Sequence, residues 1–378
     1  MRVHALRWLT CVAALLCLAP AWAQRPTAMV PTDRQMLLER LPDGYAALMP
    51  APGNARPASS LAMAQSLLET SARTGDSRLA ARGEALLSRF PLDDFNPALL
   101  QARAFAAQHR HDFAAAVKLL DRVIRDHPQY ADARLSRSQV NLVRGRLQDA
   151  RKDCAALLGI DVGNGMLCTA SLALRRGEFA QAAVLVERWL GSTLPSDVGR
   201  RHALVLRAEI AARSGQGDAD AWFRRALALD RRDVRSLAAY ARYLRSQGRE
   251  REVETLLASA PGSDALQLQR ILAAYRIDPA RARAQADAQA ARYALARAVG
   301  TQPELRDEAE FLLVLRKQPD AALALAVENF KDQRDYEDVD ILRRSAVAAG
   351  RQEMLAPLQR WADSQQLRLA PLPGALPR

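Results

Sequence analysis

Chemistry in this chain would have to come from few side chains. Its 378 residues hold 5 His and 4 Cys, against 54 Lys plus Arg and 42 Asp plus Glu. His109, His111 and His127 are the clustered imidazoles, and two of them can meet near one helical turn. A zinc site wants a third or fourth ligand and a hydrogen-bonded outer shell, so a polar turn accounts for them better. The run Asp335, Glu337, Asp338, Asp340 offers carboxylates to calcium but lacks the glycine and the spacing of a calcium loop, and carboxylates in the first turn of a helix are explained by its dipole. There is no G-x-x-x-x-G-K, G-x-S-x-G, H-E-x-x-H or paired C-x-x-C. No cofactor, no metal and no enzymatic activity are expected. The alternative is a hydrolase or metal-dependent enzyme whose site is assembled from scattered acids and histidines.

Arginine is the abundant functional group. Only Lys118, Lys152, Lys317 and Lys331 are lysines, which leaves 50 Arg behind the net charge of +12 and fits a high-GC coding bias. Arg235, Arg242 and Arg245 fall at spacings of seven and three, which places them within about 60–80° on one side of a helix. Guanidinium forks pair bidentately with carboxylates, so such a stripe suits an acidic peptide; solvated surface arginine is the plainer explanation. Nucleic acid is not expected, because the chain starts with an export signal.

These groups must be positioned by helices. Composition is 49% hydrophobic, 25% charged and only 5% aromatic, which argues for an ordered chain and against an all-β one. Residues 1–23 read as a secretory signal peptide: Arg2 and Arg7, an apolar run from Trp8 to Leu18, then Ala21-Trp22-Ala23 before Gln24. Cleavage after Ala23 leaves an exported, periplasmic or secreted chain of charge +10 with no integral membrane span. Residues 24–58 form a Pro-rich irregular arm with one short helix over Asp33 to Leu41, residues 59–365 are helical throughout, and 366–378 form a disordered tail.

The middle of the chain repeats itself. Turns at His111-Asp112, Gly145, Gly177, Ser214 and Gly248 follow one another at steps of 34, 32, 37 and 34 residues. Ala150, Ala182 and Val253 sit five places after their glycines, where two helices would cross. Weaker units are centred on Gly75 with Ala80, Gln318 with Ala322, and Gly350 with Leu355, for seven to eight hairpins in all. A helical hairpin cannot bury its apolar stripe alone, so hairpins stack, and damage to one should fade with distance.

Gly145-Arg146-Leu147 with Ala150, Gly177-Glu178-Phe179 with Ala182, and Arg225 to Asp230 resemble the tetratricopeptide repeat (TPR) family over roughly Ala58 to Trp361. The resemblance implies an all-α, right-handed superhelical solenoid acting as a protein-protein interaction scaffold. It also implies a concave groove lined by the first helix of each hairpin. Carried onto this sequence, that groove includes Gln101, Phe105, Leu135, Gln139, Leu142, Leu174, Arg175, Arg201, Arg235, Arg242 and Arg245, basic in its later half. A protein or peptide partner, acidic if the stripe is used, follows.

With Cys11 and Cys17 in the leader, Cys154 and Cys168 are the remaining thiols of an exported chain. They lie at similar distances on either side of a helix-helix loop, and a disulfide between them is expected.

Overall fold

Nine helical hairpins follow one another in the structure, a computed structural model that describes residues 57–192, 196–298 and 303–367. They pair α1 (Pro57–Thr74) with α2 (Ser77–Leu87), α3 (Pro97–His109) with α4 (Phe113–Asp126), and α5 (Ala131–Val143) with α6 (Leu147–Ile160). Next come α7 (Val162–Arg176) with α8 (Phe179–Leu190), α9 (Asp197–Ser214) with α10 (Ala219–Leu229), and α11 (Val234–Ser246) with α12 (Glu250–Leu257). The last three pair α13 (Asp264–Ile277) with α14 (Pro279–Ala298), α15 (Leu305–Phe311) with α16 (Pro319–Asp332), and α17 (Tyr336–Ala348) with α18 (Ala356–Ser364). A π-helical turn, Leu312–Arg316, extends α15, and a 3₁₀ turn, Gln352–Leu355, leads into α18. No strand occurs among the described residues.

One local device makes most of the turns. Residues past the end of the first helix bond back across it: Asp112 N–H to Ala107 O at 2.9 Å, Arg146 to Asn141 at 2.8 Å, Glu178 to Ala173 at 2.9 Å, Arg249 to Leu244 at 3.0 Å and Arg351 to Ala346 at 2.8 Å. This closure needs a left-handed residue before the donor. Glycine supplies it four times, and His111, at φ 60°, does so in the second hairpin. That is the turn role expected of this imidazole. Side-chain caps then start the second helices, as where Asp112 accepts from the Ala115 N–H and Asp218 from the Ala221 N–H.

The crossings are made by small residues. Ala116, Ala150, Ala182, Val253, Ala282 and Ala322 have no exposed surface, which lets helix axes approach closely. The hairpins exceed the expected seven to eight because α13 and α14 are joined by Asp278 alone, which caps Ala280 and Arg281 from its carboxylate and leaves no glycine-marked turn to read. At the C-terminal end the buried position is Leu358 rather than Leu355, because the 3₁₀ turn shifts the register. The expected leader, the arm as far as residue 56, and residues 368–378 lie outside the described residues. Gln366 and Leu367, assigned by sequence to a disordered tail, instead close α18: Leu367 donates to Ala362 O at 2.9 Å and packs against Leu142, Leu147 and Leu172.

Cys154 in α6 and Cys168 in α7 form the expected disulfide, with Cα atoms 5.2 Å apart and both residues buried. The bond ties the third hairpin to the fourth. Denatured, unreduced protein is expected to titrate no thiol from this pair, and reduction to lower stability by about 3 kcal/mol, the chain-entropy value for a loop of this length; two titratable thiols would refute the bond.

The stack also closes on itself. Arg334 N–H donates to Val143 O at 2.7 Å, Trp361 Nε1 to Gly145 O at 3.0 Å, and Leu147 N–H to Gln365 Oε1 at 3.0 Å. His111 faces Glu304 at 3.4 Å. The last two hairpins thus latch onto the turns of the second and third. The expected one-dimensional chain of neighbours therefore gains contacts more than 200 residues apart in sequence, 216 and 218 for two of these bonds.

Candidate partner-binding chamber

The first helices of successive hairpins end on arginine: Arg175 and Arg176 in α7, Arg213 in α9, Arg245 in α11 and Arg276 in α13. A cation in the last turn complements the negative end of the helix dipole, which favours this placement locally. Because these helices lie side by side, their ends form an arc of guanidiniums on the inner face. The latch brings α15 and α17 across it, and the space between is a chamber of about 950 Å³. Ten arginines and six carboxylates line it, a net excess of positive charge. Leu142, Leu174, Phe179, Phe223, Tyr243 and Trp361 form its apolar walls.

Acids from the C-terminal hairpins meet the arc. Arg175 pairs with Asp335, and Glu337 lies 3.5 Å from Arg213 and 3.9 Å from Arg242. Glu310 is gripped by Arg245 at 3.1 Å and Arg344 at 3.5 Å. Burial alone would push the Glu337 carboxyl up, but the surrounding guanidiniums of Arg213, Arg242, Arg306 and Arg175 outweigh it and hold the group down at about 2. Glu310 is also depressed: Arg245 and Arg344 overcome its burial. Glu209 goes the other way, raised by burial and by Glu337 against the pull of Arg213. The chamber thus stabilises carboxylates where several guanidiniums converge and penalises them elsewhere.

Of the residues expected in the groove, Leu142, Leu174, Arg175, Arg242 and Arg245 line this chamber. The others are placed elsewhere. Gln101 donates to Ser136 Oγ at 2.7 Å, bridging α3 to α5, and Phe105 packs in the N-terminal core with its ring edge on His109. Gln139 is exposed on α5, Leu135 packs beside the disulfide, and Arg201 pairs with Asp233 at 3.5 Å. Arg235 belongs to the first turn of α11, about two helical turns from Arg242 and nearly three from Arg245, so the three share a side of the helix without sharing a level. Arg213, Arg306, Glu310, Glu337 and Arg344 were missed. For Arg213 a signal existed, the recurrence of arginine one to three residues before Gly145, Gly177, Gly215 and Gly248.

The acidic run opens α17 as its dipole position implied. Asp335 caps the helix, and the Asp338 carboxylate accepts from the Asp335 N–H at 2.8 Å and from Asn329 Nδ2 at 2.9 Å. Among the described residues no cluster of three or more His, Cys, Asp or Glu side chains could hold a metal ion, and no helix is long and apolar enough to cross a membrane.

No protein-family model matches the sequence, and no curated protein does either. Solved structures do. The human IFIT1 dimer with m7Gppp-AAAA is similar over 82% of this chain and 72% of that one, at 14% identity and a TM-score of 0.52. The APC/C hetero-tetramer Cut9-Hcn1 is similar over 82% of this chain and 61% of that one, at 13% identity and 0.51. A tetratricopeptide repeat protein from Parabacteroides merdae is covered over 98% of its length by 66% of this chain, at 16% identity and a TM-score of 0.41. At such identities the likeness is one of fold: an all-α solenoid of the TPR type.

Proposed function

We propose that this chain is a non-enzymatic protein-interaction scaffold of the cell envelope, whose chamber holds an acidic segment of a partner protein. The observation that carries the reading is the arc of arginines at the ends of α7, α9, α11 and α13, in a cavity with ten arginines to six carboxylates. Fork-shaped donors fixed on helix ends are suited to carboxylates arriving in a defined geometry, and the chain's own acids already pair with them. Export is supported by the tripartite start of the sequence and by the Cys154–Cys168 disulfide, a bond that persists in oxidising compartments. The protein seen in the Cut9-Hcn1 hetero-tetramer shows this architecture in a protein assembly, which is consistent with scaffolding here.

Arg213→Gln combined with Arg242→Gln tests the reading. Both residues line the chamber, and glutamine keeps most of the stem that packs there. The tagged mature protein is used to capture partners from envelope extract, with a photo-crosslinker in place of Leu174 on the chamber wall. The expected result is an acidic peptide cross-linked at that wall, weakened by salt, and at least about tenfold less of it with the double variant at unchanged helical content. Equal capture by the variant would overturn the reading.

A further inference from the structure

We infer that the acidic first turn of α17 is a resident stand-in for the partner's segment, so that partner binding and closure of the solenoid compete for the same arginines. The inference rests on the reading of the chamber just given and adds a regulatory contact to it.

Three observations lead there. First, the arginines that would receive a partner are occupied by this turn: Arg175 by Asp335, and Arg213 and Arg242 by Glu337. Arg213 also lies over the Tyr336 ring at 4.5 Å. The pairs join residues 160 and 124 apart in sequence, so the turn is a ligand delivered from the far end of the chain. Second, its internal bonds are only partly shared with its docking bonds: Asp335 serves as helix cap and as the partner of Arg175, while Asp338 works within the turn. Asp338, almost wholly buried, holds the turn together through the Asp335 N–H and Asn329 and spends none of its bonds on α7, α9 or α11. Third, the docking pairs are reached by solvent: Asp335, Glu337 and Arg175 side chains are 21%, 27% and 24% exposed. Solvent access to these pairs lets a competing carboxylate approach the same guanidiniums. An acidic segment arriving in trans with two carboxylates two residues apart meets arginines already held in place.

The experiment uses the full mature chain and, as probe, a fluorescein-labelled synthetic peptide of this protein's own residues 333–349. Asp335→Asn with Glu337→Gln removes the docking charges and leaves Asp338 in place. If the closed form outnumbers the open one by about ten to one, release raises the apparent affinity of the peptide about tenfold over the parent chain. In the unaltered protein, where no variant can misfold, adding the peptide is expected to speed hydrogen exchange at the amides of residues 337–341. Equal affinity in the two proteins, or absence of peptide binding with no change in exchange, overturns the inference. Those failures, with capture of a partner still dependent on Arg213 and Arg242, remove α17 as the stand-in and keep the chamber. Capture indifferent to the arginines removes the chamber reading itself.

Discussion

Ala182→Glu is expected to destabilise the protein by about 4 kcal/mol or more, seen as a large fall in the melting temperature followed by circular dichroism. Ala182 has no exposed surface and packs among Leu167, Ala170, Val186, Ala203 and Ile210, where α8 crosses its neighbours. A glutamate there adds volume to a filled crossing and places a carboxylate in a largely aliphatic cluster that holds no cation. Loss is expected to reach beyond the adjacent hairpins. The fourth hairpin also carries Arg175, which holds Asp335 of the last, so hydrogen exchange in α17 is expected to rise together with exchange in α8. A melt indistinguishable from that of the parent would mean that α8 does not cross its neighbours at Ala182.

Gly145→Ala and Gly248→Ala form a matched pair with unequal outcomes. Both glycines sit in left-handed turns of nearly the same shape, φ 66° and 69°. A side chain at either position costs about 1 kcal/mol in backbone strain. Around Gly248 nothing lies within 4 Å of the added carbon, so that figure is the whole expected effect. At Gly145 the added carbon would fall 2.7 Å from the Trp361 ring and 2.9 Å from Arg334 Cβ, both part of the latch. Relieving that overlap is expected to add about 2 kcal/mol and to free α18, with faster exchange at the Leu147 amide that Gln365 now caps. Urea melts of the two variants side by side supply the comparison, and equal destabilisation would show that the latch does not bear on Gly145.

The repeats were legible because their signals are local. A glycine or cap every 32 to 37 residues, and a small residue five places on, follow from the geometry of a single hairpin. The Cys154–Cys168 bond was legible for the same reason, since both cysteines flank one loop. The chamber was half legible. Arg242 and Arg245 could be assigned to an inner face from helical spacing, but Arg235 could not be excluded from it, because spacing fixes an angle about the axis and the chamber's opening selects a height along it. The acids were the larger omission. Asp335 to Asp340 read correctly as the start of a helix, yet their pairing with Arg175, Arg213 and Arg242 depends on how small rotations between nine hairpins accumulate. No window of sequence contains that sum.

The latch gives the order of synthesis a meaning. A chain made from its N-terminus can complete each hairpin against the one before, since most contacts join neighbouring helices. Val143, Gly145 and Leu147 then wait for partners that are among the last residues to appear: Arg334, Trp361 and Gln365. Until then the arginine arc lacks the counter-charges that α17 brings, Asp335 and Glu337. A newly made molecule therefore passes through an interval in which its early hairpins are complete and unclasped, with the arginine arc open to solvent. A chain cut short before residue 335 would remain in that interval permanently.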